Sequence, residues 1–276
     1  MFANNQAGIV LIFVLSNKKQ KMELKNNKIA LITGGSRGLG KNMALSLAGK
    51  GIDVIFTYNS QKEEALKVVA LIEKTGQRAV ALQLNTGDVS GFNSFTDILK
   101  ETLKNTFNTA NFDFLINNAG IGINVPFAET TEEQFDLLMN IHYKGVYFLT
   151  QKTLPLIKDG GSIVNLSTGL TRFTSPGFAA YAAMKGAIET LTKYQAKELG
   201  ARQIKVNTVA PGPIETDFAG GVLRDNEKAN QYIAGTTALG RVGLPEDIGG
   251  VVAFLCTDEA KWINAQRIEV SGGTNL

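Results

Sequence analysis

Short, almost wholly apolar runs alternate along this chain with longer stretches whose apolar positions recur at helical spacing. Lys28–Thr33 (KIALIT) reads as a buried strand, Asp53–Tyr58 as a second and Ala79–Leu84 as a third. Phe112–Ile116, Gly161–Leu166, Ile204–Val209 and Ile268–Val270 follow as the fourth to seventh. Helical periodicity covers about 38–50, 62–74, 92–103 and 131–157, the last bent near Pro155, and then 176 through Leu199. Strands apolar along their whole length need cover on both faces, and intervening helices of ten or more residues supply it. The pattern predicts an α/β chain: a single doubly wound domain with about seven parallel strands and helices on both faces. No low-complexity linker or repeat divides it.

The start of the chain stands apart. Ala7–Leu15 is apolar but too short to cross a bilayer, which takes about 20 residues. No Lys or Arg precedes it and no small-residue cleavage site follows, unlike a secretory leader. Residues 1–21 are read as a flexible extension, with the domain at 22–276.

Composition then removes several classes of function. Of 276 residues, 44% are hydrophobic and 19% charged, enough apolar surface for a large core. The one cysteine, Cys256, excludes a disulfide framework within the chain and fits a reducing, cytoplasmic setting. It follows the run Val251–Leu255 and reads as a buried filler. One Cys and one His, His142, make no Cys/His zinc site, so no metal is expected. The 28 basic and 25 acidic residues leave a net charge of +3 with no basic stripe, which argues against nucleic acid.

The most informative loop joins the first strand to the first helix: Thr33-Gly34-Gly35-Ser36-Arg37-Gly38-Leu39-Gly40. Gly34 permits a tight turn, Gly38 lets the backbone approach a pyrophosphate, and Gly40 lets helix and strand pack closely. The helix N-terminus offers free N–H groups and partial positive charge. This is Rossmann-type chemistry, and it predicts a dinucleotide. The second strand ends in Tyr58-Asn59-Ser60, without the carboxylate that holds the ribose of NAD. Arg37 and Lys62 suit a 2′-phosphate instead, so NADP(H) is the expected cofactor.

Tyr181 and Lys185 lie four residues apart and share one helical face. An ammonium beside a phenol favours the phenolate, which makes the pair a candidate acid/base for carbonyl/alcohol interconversion. With Thr33-Gly34-x-x-x-Gly38-x-Gly40, Asn117-Asn118-Ala119-Gly120 and Pro211-Gly212 in the same order, the chain resembles the short-chain dehydrogenase/reductase family over 28–273. It looks most like the branch of 3-oxoacyl-[acyl-carrier-protein] reductases and related NADP-dependent carbonyl reductases. The resemblance implies that Tyr181 is the acid/base and that Lys185 lowers its pKa and binds the nicotinamide ribose. It implies that Asn117, Asn118, Ala119 and Gly120 line the cofactor, and that Pro211, Gly212, Ile214 and Thr216 hold the carboxamide and a phosphate. Enoyl reductases space their Tyr and Lys more widely than the gap of four here.

The departures are as telling. The family's catalytic serine position is Thr168, preceded by Ser167; Thr168 is expected to polarise the carbonyl. The asparagine that anchors a relay water is replaced by His142, expected to hold water and shuttle a proton near neutral pH. The acid after the third strand, near adenine, is Asn85, followed by Thr86. Val270-Ser271-Gly272-Gly273 carries Ser where the family has Asp. Glu215–Arg241, with its glycines and Phe218, is expected to be a mobile substrate lid. The resemblance also implies a homodimer or homotetramer paired through the helices at 131–157 and 176–199. Its substrate is a small-molecule carbonyl or alcohol, acyl thioesters included. The competing reading is a non-catalytic NADP-binding sensor on the same fold; retention of both Tyr181 and Lys185 weighs against it.

Overall fold

The computed structural model describes residues 27–276. The extension read at 1–21 lies outside them. Seven parallel strands form one sheet in the order β3-β2-β1-β4-β5-β6-β7. They are β1 (Ile29–Ile32), β2 (Asp53–Tyr58), β3 (Ala79–Gln83), β4 (Phe112–Asn117), β5 (Ile157–Leu166), β6 (Lys205–Pro211) and β7 (Arg267–Val270). The helices between them are α1 (Gly38–Gly49), α2 (Lys62–Glu73), α3 (Phe92–Phe107), α4 (Glu132–Met139), α5 (Gly145–Thr153), α6 (Ala179–Glu198), α7 (Val222–Asp225), α8 (Glu227–Gly235) and α9 (Pro245–Leu255).

The two-residue period of a strand explains both faces. Ala30 and Ile32 join Met43, Leu47, Val68, Ile72, Ile248 and Val252 in a core under α1, α2 and α9. Ile29 and Leu31 point the other way, into a core with Phe92, Phe95, Leu99 and Leu103 of α3. Cys256 is buried in the first core, as expected, and burial pushes its thiol up to about 12. Because β1 pairs with both β2 and β4, the chain reverses its winding there, and the carboxyl ends of β1 and β4 open a crevice.

The stretch read as helical over 131–157, broken or bent near Pro155, is broken there and once more upstream. A capping box at Thr131 and Gln134 starts α4. A π turn over Asn140–Lys144 then inserts extra backbone before α5. The helix stops at Thr153, because Pro155 cannot donate to it, and one tight 3-10 turn, Leu154–Leu156, leads into the next strand. That strand begins at Ile157 rather than Gly161, with an irregular register opposite Phe112–Phe114. A Cβ on Gly161 would sit 2.5 Å from the Asp113 carbonyl, so this close backbone approach needs glycine. Helix α3 runs on to Phe107 and ends at Asn108 in the left-handed conformation, φ 54°. No helix among the described residues is long and apolar enough to cross a membrane.

Candidate active site

The crevice is floored by the glycine turn. Gly34 has φ +70°, and a Cβ on Gly40 would fall 2.1 Å from the Gly34 carbonyl, so both positions demand glycine. Asn118 sews this turn to the end of β4: its Nδ2 donates to the carbonyls of Thr33 (2.9 Å) and Gly34 (3.0 Å). Thr33 Oγ1 in turn accepts from the backbone N–H of Asn118 and of Ala119, both at 3.0 Å. Asn118, expected to touch a cofactor, therefore spends its amide on shaping the turn. Its neighbour Asn117 turns into the core, donating to Thr150 Oγ1 (3.0 Å) and Asn165 Oδ1 (2.8 Å). Helix α1 has no side-chain cap and no acid in its first turn, so its N–H groups remain available to an anion.

Ser36 is buried in the turn, whereas Arg37 is exposed beside it and sits 3.6 Å from Asp217 of the 215–241 segment. Leu39 packs against the first core. Tyr58 is partly covered, and Asn59 and Ser60 are exposed at the end of β2 with no carboxylate among them. Asn85 Oδ1 accepts from the Gly87 N–H at 3.0 Å, which occupies one of its lone pairs in its own turn, while Thr86 backs closely onto Gly145. On the far wall, Gly212 meets β7 so closely that a Cβ would lie 2.7 Å from Ser271 Cα. Ile214 bridges to Gly243, and Thr216 Oγ1 accepts from the Phe218 N–H at 3.2 Å. These residues fit a dinucleotide: a glycine cradle, an uncapped helix end and the exposed cation Arg37 beside them.

Helix α6 carries Tyr181 and Lys185 one turn apart, both buried. Lys185 Nζ donates to the Leu166 carbonyl at 2.7 Å and stands 5.8 Å from the Tyr181 ring centroid. Burial lowers Lys185 to about 7. Burial also pushes the Tyr181 phenol up, against a hydrogen bond with Thr168 that pulls it down. Desolvation sets the direction, and the downward pull comes from Thr168 rather than, as expected, from Lys185.

The π turn aims His142 at the same spot. Its ring meets Tyr181 edge-on, centroids 5.0 Å apart at 86°. His142 Nε2 lies 2.8 Å from the Ile121 carbonyl, to which an Nε2–H would donate, and 3.3 Å from the Ile121 N–H, and Gly120 leaves room for the ring. That leaves Nδ1 buried without a partner among the described residues. Burial first, and the Lys185 charge second, hold the imidazole down to about 3. Burial thus favours the neutral imidazole, against the titration near neutral pH expected for a shuttle.

The turn after β5 places Thr168 against Tyr181, with Thr168 Oγ1 accepting from the Leu170 N–H at 3.3 Å. Ser167 faces away and donates to Glu189 Oε1 at 2.7 Å. Two aromatic rings flank Tyr181, Phe178 and Phe218 at 6.3 and 5.4 Å from its ring, while Phe173 packs on Gly169 after the Thr168 turn. Phe218 belongs to the segment expected as a lid, which here forms a short turn, α7 and α8, with Ala219, Gly220 and Gly221 all at positive φ. Sequence reasoning missed Glu189 and its partner Arg267. Glu189 lies four residues beyond Lys185, a spacing that signals a shared face; Arg267 is brought near only by the pairing of β6 with β7.

Residues 34–275 match a family model described as enoyl-(acyl carrier protein) reductase. The chain belongs to the short-chain dehydrogenase/reductase family. Among relatives of this oxidoreductase, the hydroxynaphthalene reductase-like protein Arp2 of Metarhizium brunneum is 35% identical, covering 90% of this chain and 94% of its own. The 3-oxoacyl-[acyl-carrier-protein] reductase FabG of Staphylococcus aureus is 36% identical, covering 91% and 99%. The solved structure of the angucycline C-6 ketoreductase LanV with bound NADP is similar at a TM-score of 0.85, with 35% identity over 90% of this chain and 95% of that one.

Proposed function

We propose that this short-chain oxidoreductase is an NADP(H)-dependent carbonyl reductase in which Tyr181 delivers the proton. The observation that carries this reading is the burial of Tyr181, Lys185 and Thr168 together at the mouth of the β1/β4 crevice. The Gly34–Gly40 turn holds the pyrophosphate, Arg37 the 2′-phosphate over Tyr58-Asn59-Ser60, and Pro211, Gly212, Ile214 and Thr216 the carboxamide. Lys185, whose ammonium donates to Leu166 and has further N–H groups, takes the nicotinamide ribose. When bound, the nicotinamide supplies or accepts the hydride.

The rest is the work of side chains. Thr168 donates its hydroxyl hydrogen to the substrate carbonyl and so stabilises negative charge as it develops on that oxygen. Tyr181, kept protonated by burial, releases its proton to the same oxygen. Lys185 offsets the phenolate left behind, and His142 Nδ1 accepts from a water on the path that restores the proton. Phe178 and Phe218 beside Tyr181 favour a flat ring system, as do the names of the hydroxynaphthalene and angucycline relatives. The Tyr–Lys gap of four suits carbonyl rather than enoyl reduction.

Exposed Phe135, Leu137, Tyr147 and Tyr194 on α4, α5 and α6 support assembly as a dimer or tetramer. The test is NADPH oxidation with tetralone and, separately, acetoacetyl-CoA. Tyr181→Phe should lose at least about 10³-fold in kcat, while NADPH affinity by fluorescence stays within about twofold. Near-normal turnover by the variant, or no oxidation with either ketone, overturns the reading.

A further inference from the structure

We propose that Glu189 and Arg267 are positioning residues that set the Thr168 hydroxyl against Tyr181. The inference rests on the assignment of Thr168 as the polarising hydroxyl. One carboxylate oxygen, Glu189 Oε1, accepts three bonds, all 2.7 Å: from Ser167 Oγ, Thr171 Oγ1 and Arg267 Nε. Two of these donors flank Thr168 in the chain. The third belongs to a guanidinium whose Nη2 donates to the Thr168 carbonyl (3.2 Å) and to Thr171 Oγ1 (3.1 Å). Thr171 Oγ1 also lies 3.0 Å from that carbonyl. The backbone of Thr168 is thus clamped from beneath by an ion pair, while its side chain faces the site.

The clamp has a chemical purpose. Threonine is stiff at χ1, and its methyl and hydroxyl compete for one direction. A small rotation of the turn exchanges them, and the methyl then faces the substrate oxygen. Glu189 removes that freedom, and it does so from α6, the helix that carries Tyr181 and Lys185, so donor and acid are registered to one rigid element. Arg267 extends the brace: its Nη1 donates to Glu269 Oε2 at 2.8 Å. Glu269 is held in turn by Arg172 and by Ser271, the residue that departs from the family's Asp. Arg172 then ties in the end of the chain by donating to the carbonyls of Thr274 (2.6 Å) and Asn275 (2.8 Å). An unbroken chain of charged contacts therefore runs from the carboxyl-terminal residues to the catalytic turn.

A double-mutant cycle separates positioning from general stability. Glu189→Gln and Arg267→Met should each lower kcat for tetralone or acetoacetyl-CoA by about 10- to 100-fold, with NADPH affinity unchanged. In a Thr168→Val background, which lacks the hydroxyl, the same changes should produce no further fall. Hydrogen exchange should quicken across 167–172 in Glu189→Gln, with α6 still protected. Equal falls in both backgrounds, or wild-type kcat in Glu189→Gln, overturn the inference. Wild-type kcat in Thr168→Val instead overturns the assignment of Thr168 on which it rests. Should Glu189→Gln fail to fold, Arg267→Lys, which keeps the charge but cannot span both contacts, runs the same cycle.

Discussion

Replacing His142 by asparagine tests the electrostatics of the site through stability alone, independently of turnover. The imidazole is buried, its Nδ1 is unpartnered, and Lys185 stands near; burial and that charge hold it to about 3, against an ordinary value of 6.5. In the unfolded chain the same ring titrates near 6.5. Between those values the unfolded state binds one proton more than the folded state. The stability that His142 contributes while neutral is therefore present above about 6.5 and is lost as pH falls toward 3. One proton is worth about 1.4 kcal/mol per pH unit, so about 2 kcal/mol should disappear between pH 6.5 and about pH 5. Lys185 does not blur this window, because its own depressed value of about 7 places its linkage between 7 and 10.5. The assay is urea unfolding of wild type and His142→Asn at several pH values. Packing changes shift the two curves by a constant, whereas the linkage makes their difference depend on pH. His142→Asn should lose markedly less stability on acidification. A stability difference that stays constant from pH 7 to about pH 5 would refute the claim that the ring is held neutral.

Three further outcomes follow from the geometry. Gly40→Ala brings a Cβ to 2.1 Å from the Gly34 carbonyl, backbone against helix, so NADPH fluorescence titration should show binding lost; retained affinity contradicts the cradle. Arg37→Ala should weaken NADPH by about 10-fold, the ~1.4 kcal/mol of one charged contact, and leave NADH unchanged; equal effects on both cofactors would remove Arg37 from the 2′-phosphate. Asn165→Ala strips partners from Asn117, Thr192 and Gln195 at once, and urea unfolding should report a loss of about 3 kcal/mol, a loss below about 1 contradicting the network.

The parts of this site that local chemistry dictates were legible in the sequence. A glycine at a positive φ and another against a carbonyl leave their mark at Gly34 and Gly40, and helical spacing alone puts Tyr181 beneath Lys185. The parts that depend on contacts between distant elements were not. Asn140–Lys144 carries no residue that forbids an ordinary helix, so nothing local announces the π turn that swings His142 toward Tyr181. Asn117 sits in a motif suggestive of a ligand, yet Asn165 on the adjacent strand offers it a buried partner and draws it into the core. Arg267 reaches Glu189 across 78 residues of chain, through the pairing of β7 with β6. Strand β5 began earlier than expected because Gly161 allows a backbone approach that the apolar pattern does not encode.

The three titratable groups at the centre share one bias. Desolvation favours the neutral imidazole of His142, the neutral phenol of Tyr181 and the neutral amine of Lys185. A site so biased rests with its proton on tyrosine, which suits a donor to an oxygen gaining negative charge. Charge on Lys185 is costly while Leu166 is its acceptor, and it becomes favourable once a phenolate stands nearby. In the proposed reaction, proton loss at Tyr181 and proton retention at Lys185 therefore support each other. The neutral His142 matters to that pairing: a charged imidazole 5.0 Å from the Tyr181 ring would supply the phenolate with a competing counter-charge and oppose that on Lys185. Holding the ring neutral leaves the ammonium as the cation that answers the tyrosine, which ties the substitution at 142 to the function of the helix opposite.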